Sequence, residues 1–169
     1  MADQSRFRGC LLGLAVGDAV GTTLEFKAPG SFEPIDDMVG GGTFRLPVGA
    51  WTDDTSMALC LATSLITCNG FNANDQAERY WRWYQEGYLS STGRCFDIGN
   101  ATSSALRSWR STGEPFSGST DPGSAGNGSI MRLAPVPMFY FGNTQDALHY
   151  AVDSGRVTHG APQAVQCTQ

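Results

Sequence analysis

Apolar residues recur along this chain at intervals of three and four, the period of helices that bury one face. Phe7, Leu11 and Leu14 predict a helix over residues 4–20, with Gly9, Gly13, Gly17 and Gly21 spaced every four residues along another stripe. Such a stripe lets a second helix approach closely and is expected in the core. Asp18 interrupts the run, and its length argues against a membrane pair. Residues 28–50 hold Pro29, Gly30, Pro34, Gly40-Gly41-Gly42, Pro47 and Gly49, which predicts a long loop able to move. Met57, Leu61 and Leu65 predict a helix from Asp53 that stops at Asn69-Gly70. A third helix is predicted near 73–86, with Tyr80, Trp81 and Tyr84 as core packing, and a fourth near 98–111, with Ala101, Ala105, Leu106 and Trp109 inward. After a Gly/Ser/Pro-rich stretch over 112–128 come a short helical segment checked by Pro135 and Pro137, a helix capped by Asn143 that runs to about 154, and another opening at Pro162. No alternating period of two extends over several strands, so the predicted class is all-α, a multi-helical bundle.

Composition narrows the function classes. A length of 169 residues suits one domain, taken here as 1–169. Glycine, at 21 residues, is enriched over its roughly 7% average, which points to tight turns and close backbone approaches. A balance of 11 basic against 16 acidic side chains, with no Lys/Arg cluster, argues against a nucleic-acid partner. An anionic ligand would need metal ions or backbone amides. The five cysteines are scattered and contain no C-x-x-C, so neither a disulfide framework nor a zinc site is expected. The start of the chain lacks a basic n-region, and the apolar run Cys10 to Val16 is far short of the roughly 20 residues a membrane span needs. A soluble, cytoplasmic protein with no membrane partner is the expectation.

Candidate chemistry centres on Trp51-Thr52-Asp53-Asp54-Thr55 at the start of the second helix. Thr52 suits an N-cap, and acids in a first turn interact favourably with the helix dipole. The same side chains are also hard oxygen ligands of the kind Mg²⁺ and Mn²⁺ prefer. Asp18 reads as a buried, hydrogen-bonded structural acid, and Glu25 stands where the long loop begins. Asp97 precedes the fourth helix, where it could cap the helix or contact substrate. Gly126-Asn127-Gly128-Ser129-Ile130-Met131-Arg132 reads as a glycine-rich turn entering a helix, an arrangement able to bind phosphate oxygens, although it is no Walker motif. Of the two histidines, His149 reads as a structural residue inside a helix, while His159, in Thr158-His159-Gly160, is better placed for a ligand.

In order and spacing, Gly17-Asp18-Ala19-Val20-Gly21, Glu25, Trp51-Thr52-Asp53-Asp54-Thr55, Asp97-Ile98-Gly99, Gly126 to Arg132 and Thr158-His159-Gly160 resemble the ADP-ribosylglycohydrolase family. The resemblance runs from about Phe7 to Gln163. It implies an all-α fold with a dinuclear Mg²⁺ or Mn²⁺ site that removes ADP-ribose from modified protein side chains, arginine linkage being slightly favoured. By that resemblance Thr52, Asp53 and Asp54 would hold the metals, Glu25 and Asp97 would be catalytic, and Asn127, Gly128, Ser129, Met131 and His159 would line the ADP-ribose pocket. A metal-free glycosidase with Glu25 and Asp97 as acid and base is the rival mechanism, and it leaves Asp53-Asp54 without a task.

One departure from the family matters. Its members carry a second ligand set, an Asp-x-Asp-Thr sequence in their C-terminal part, and no such sequence occurs here. After Asp97 the only acids are the isolated Glu114, Asp121, Asp146 and Asp153. Two carboxylates and one hydroxyl cannot furnish six ligands for each of two ions. The expectation is therefore a bundle truncated at its C-terminus, either a fragment of a longer enzyme or one part of a split enzyme, completed by a C-terminal complementing polypeptide or by a second copy of itself. The alternative is a non-catalytic ADP-ribose-binding or crystallin-like structural member of the same family.

Overall fold

A computed structural model describes residues 4–169. Among them lie seven α-helices: α1 (Gln4–Gly21), α2 (Asp53–Cys68), α3 (Ala73–Glu86), α4 (Asn100–Thr112), α5 (Pro135–Phe139), α6 (Thr144–Arg156) and α7 (Pro162–Cys167). Short 3-10 turns occupy Thr22–Leu24, Pro122–Ser124 and Asn127–Ser129. The described residues form no strand, only the isolated bridges Gly41 to Leu46 and Ser119 to His159. The all-α expectation holds, and among the described residues no helix is long and apolar enough to cross a membrane.

Local chemistry sets the helix limits. The Asn72 side chain accepts the Asp75 N–H at 3.0 Å and opens α3; Asn143 accepts the Asp146 N–H at 3.2 Å and opens α6. Asn69 ends α2 in the left-handed conformation, at φ 50°, which Asn tolerates better than most residues. Proline stands in the first turn of both α5 and α7, where its missing N–H costs nothing.

Helix α2 is the centre of the bundle. Its Met57 and Cys60 meet Tyr80 and Trp83 of α3, Leu106 and Trp109 of α4 and Val157 in one buried cluster. Farther along, Leu61 and Leu65 meet Val136 of α5 and Ala151 of α6 in a second. The aromatic residues of α3 serve the core, with Tyr80 and Trp83 fully inside and Trp81 and Tyr84 packed at its edge.

The glycine stripe does not sit in this core. A Cβ added at Gly9, Gly13, Gly17 or Gly21 would meet nothing within 4 Å. Ala19 is the only fully buried residue of α1, while Leu12 is 64% and Val16 48% exposed. The period of four correctly places the glycines on one face, but no described helix covers that face. Alongside, Phe7, Leu11, Leu65, Ile66, Met138 and Phe139 line an apolar hollow of about 300 Å³.

Candidate metal and ligand site

The site begins where the end of α1 meets the start of α2. The Asp18 carboxylate accepts the backbone N–H of Thr52 at 3.0 Å and of Thr55 at 3.1 Å. It also accepts their hydroxyls, at 2.8 Å from Thr52 and 2.7 Å from Thr55. Thr52 is thus the N-cap residue by position, but its hydroxyl does not cap. The side chain is instead committed to Asp18, and one free N–H of the first turn, that of Thr55, is satisfied from another helix. Ser91 Oγ donates to the Trp51 carbonyl at 2.6 Å, which ties the segment before α4 to the same turn.

Acids converge around this staple. Burial first, then repulsion from Asp97 and Asp54, push the Asp53 carboxyl up to about 8. Burial and the charges of Asp18 and Glu25 raise Asp54 as well, against hydrogen bonds that oppose the shift. Asp97 is pushed to about 7 by burial, by the charge of Glu25 and by a hydrogen bond with the Glu25 side chain. Among the described residues every ion pair lies elsewhere, so no basic side chain contacts the group. Asp97 does not cap α4. Gly99 is the N-cap and α4 starts at Asn100, whereas Asp97 is held at φ 58°, a left-handed conformation that carboxylate side chains tolerate at some cost.

Two adjoining clefts open from here. The smaller, of about 390 Å³, is lined by Asp18, Glu25, Thr52, Asp54 and Asn127. The larger, of about 660 Å³, runs from Asp53 past the start of α4 to Asn127, Gly128, Met131 and His159. Asn127 lines both, so the structure brings nearly all the sequence-predicted residues to one continuous surface. Asp97 and Ser129 are the exceptions, since neither lines either cleft; Ser129 is 1% exposed and its Oγ has no partner. The glycine-rich segment also enters no long helix. It makes a 3-10 turn at Asn127–Ser129, and α5 starts only at Pro135, so a helix dipole does not back the turn.

Close backbone approach places His159. Gly160 N donates to the Ser119 carbonyl at 3.0 Å, and Gly118 N donates to the Arg156 carbonyl at 3.1 Å. A Cβ at Gly118 would lie 2.6 Å from Gly160 N, so only glycine lets these two segments meet. The His159 ring then fills the space beside the glycine-rich turn, where a Cβ at Gly128 would lie 2.8 Å from its Nε2. Burial and the charge of Arg132 lower His159 to about 4 and keep it neutral.

Arg132, which no local pattern singles out as a site residue, is fully buried. Its guanidinium donates to the Gly128 carbonyl at 2.5 Å, the Ser154 carbonyl at 3.2 Å and Thr158 Oγ1 at 2.7 Å, and its carbon lies 4.8 Å from the Tyr80 ring centre. The signal was available: Arg132 is the only charged residue between Asp121 and Asp146, and it is flanked by Met131 and Leu133. A lone charge among apolar residues is either exposed or buried with partners.

The comparisons agree with this architecture. The family model for ADP-ribosylglycohydrolase matches residues 1–169, so the chain belongs to the ADP-ribosylglycohydrolase family. It is 52% identical over 164 residues to an ADP-ribosylarginine hydrolase Tri1 of Pseudomonas putida, covering 97% of this chain and 44% of that protein. It is 34% identical over 166 residues to the ADP-ribosyl-[dinitrogen reductase] glycohydrolase of Rhodospirillum rubrum, covering 94% and 53%. A solved structure described as an ADP-ribosylglycohydrolase-related protein complex superposes with a TM-score of 0.84 at 45% identity, over 98% of this chain and 53% of that one. The chain therefore spans about half the length of the relatives it matches.

Proposed function

We propose that this chain is the N-terminal part of a metal-dependent hydrolase that removes ADP-ribose from modified protein side chains, arginine linkage first among them. The observation carrying this reading is that Asp53, Asp54, Asp97 and Glu25 crowd together without a basic partner at the edge of a cleft lined by neutral hydrogen-bonding groups. The activities for which the relatives at 52% and 34% identity are named support the substrate class.

The donor set suits Mg²⁺ or Mn²⁺. A group of carboxylates that raise one another's proton affinity is a group in want of positive charge. Because the Thr52 hydroxyl gives its proton to Asp18, its oxygen lone pairs stay free for a cation. Thr52, Asp53 and Asp54 would hold the metal ions, which supply orientation and acidification of a water and polarisation of ribose hydroxyls. Asp97 holds or releases a proton beside the susceptible bond, Glu25 faces it, and Asn127, Gly128, Met131 and His159 orient the ADP-ribose. The bond from the ribose anomeric carbon to the side-chain nitrogen breaks, a water oxygen takes its place on the carbon, and the nitrogen leaves with a proton.

Completion of the site falls to polypeptide outside these residues. The relatives are about twice as long, and the open glycine face of α1 has room for it. The test is to express the chain together with the remaining half of its Pseudomonas putida relative and to assay release of ADP-ribose from arginine-linked and other substrates with Mg²⁺ or Mn²⁺. Metal-dependent release supports the reading, and no release from any linkage overturns it.

A second reading, non-catalytic binding of ADP-ribose, draws on one observation. Among the described residues no three His, Cys, Asp or Glu side chains converge as a metal-holding group. That reading expects ADP-ribose binding unchanged by Asp53→Ala and no turnover in any reconstitution.

A further inference from the structure

We propose that Arg132 and Thr158 are positioning residues that fix the tautomer of His159, so that the imidazole meets the cleft as a neutral Nε2–H donor. The inference follows from counting protons in a closed place. Arginine has five N–H donors and no acceptor, so Arg132 donates to Thr158 Oγ1 across 2.7 Å. Thr158 is fully buried, and the acceptor within reach of its own hydroxyl proton is His159 Nδ1, 2.8 Å away. If Nδ1 carried a hydrogen instead, the Thr158 oxygen would receive two protons while its own had no acceptor in a site sealed from water, a costly arrangement. Nδ1 is therefore bare. A neutral imidazole with a bare Nδ1 carries its proton on Nε2.

The rest of the network holds this chain of bonds in place. The Gly128 and Ser154 carbonyls and the face of Tyr80 grip the guanidinium, and Gln76 Nε2 donates to the same Ser154 carbonyl at 3.0 Å. Among the described residues Arg132 makes no contact ion pair with an acid; carbonyl, hydroxyl and ring dipoles hold its charge, with only a more distant attraction from Asp53. A fully buried charge without a counter-ion is expensive to keep, and arginine, which stays protonated even when buried, keeps it. What the protein obtains at that cost is a neutral donor aimed past Gly126, where a Cβ would lie 3.6 Å from Nε2. The ligand atom opposite His159 must then be an acceptor, such as a phosphate or ribose oxygen. This assignment concerns the chain alone and does not depend on the proposed hydrolysis.

Nitrogen-15 NMR of the imidazoles in the whole chain tests it, with His149→Gln used to tell the two histidines apart. Near neutral pH the wild type should show His159 with a bare Nδ1 and a protonated Nε2. Thr158→Ser, which keeps the hydroxyl, should preserve that pattern. Thr158→Val, of nearly the same shape, should move it toward a mixture of tautomers. A proton on Nδ1 in the wild type, or a Thr158→Val spectrum identical to wild type, overturns the proposal. Should Thr158→Val fail to fold, the wild-type spectrum decides the tautomer and Arg132→Met, which removes the donor to Thr158, decides what sets it, an unchanged spectrum being the overturning result. Calorimetry with ADP-ribose adds a separate arm: affinity should fall at least tenfold in Thr158→Val and be kept in Thr158→Ser, and equal affinities refute the role in binding. No binding by the wild type would count against the proposed function while leaving the tautomer to the spectra.

Discussion

Asp18 and Thr52 are joined twice: one carboxylate accepts both the backbone N–H of Thr52 at 3.0 Å and its hydroxyl at 2.8 Å. Since the same group takes both donors of Thr55, a single acid fixes the turn that presents Asp53 and Asp54. Asp18→Asn keeps the shape but turns an NH₂ toward groups that are themselves donors. We expect a loss of about 2–3 kcal/mol, the usual cost of spoiling hydrogen bonds to a charged group in a half-buried place. Urea unfolding of the two proteins would measure it, and equal midpoints would show that the staple is dispensable.

Gly128 and Gly126 flank the same imidazole at different distances, which makes them a controlled pair. A Cβ at Gly128 would stand 2.8 Å from His159 Nε2, whereas one at Gly126 would stand at 3.6 Å, an ordinary contact. Gly128→Ala must push the ring away, so ADP-ribose affinity should drop tenfold or more, with about 1–3 kcal/mol of stability lost to overpacking. Gly126→Ala should leave both nearly unchanged. Indistinguishable binding by the two variants would mean that the ring position does not matter.

What the sequence revealed and what it hid divide along physical lines. The caps at Asn72 and Asn143 and the stop at Asn69-Gly70 depend on residues a few positions apart, and each lies where local rules predict. The partners of Arg132 stand up to 52 residues away, at Tyr80, and Gly118 needs to be small because of Gly160, so neither is visible to a local rule. Asp97 reads as a cap because acids commonly stand before helices, yet the chain turns left-handed there and leaves capping to Gly99. The glycine stripe shows the same limit in another form. Period tells which residues share a face, but not whether the same chain covers it.

Burial, with charge crowding added to it, should make the metal-free protein less stable as pH rises. The folded state holds protons on Asp53 up to about 8 and on Asp97 up to about 7, whereas unfolded aspartates ionise near 4. The folded state therefore binds more protons across that window, and stability falls with increasing pH. His159 acts in the opposite sense, with a folded value of about 4 against an ordinary value near 6.5, so the carboxylates are read cleanly between pH 6.5 and 8. In EDTA the melting temperature should decline across that interval, and Asp53→Asn should flatten the decline and exceed wild type at pH 8. A wild-type curve that stays level would show that the acids are already relieved. Adding Mg²⁺ should raise stability most at the alkaline end, because deprotonated carboxylates are the ligands.

The uncovered face of α1 gives the last expectation. Leu12 and Val16 are 64% and 48% exposed, and the glycines beside them meet open space. Lysine at both positions would disturb little within this chain, since surface changes of this kind stay within about 0.5 kcal/mol. If the remaining polypeptide docks there, the same change removes two apolar side chains from its interface. At about 2 kcal/mol for each buried side chain, and 1.4 kcal/mol for each factor of ten, the assembly should weaken by roughly two to three orders of magnitude. Titrating the complementing half of the Pseudomonas putida relative into wild type and into Leu12→Lys/Val16→Lys, with recovered hydrolysis and binding heat as readouts, separates the cases. Equal recovery by both, with matched melting temperatures, would mean that the complement docks on another face.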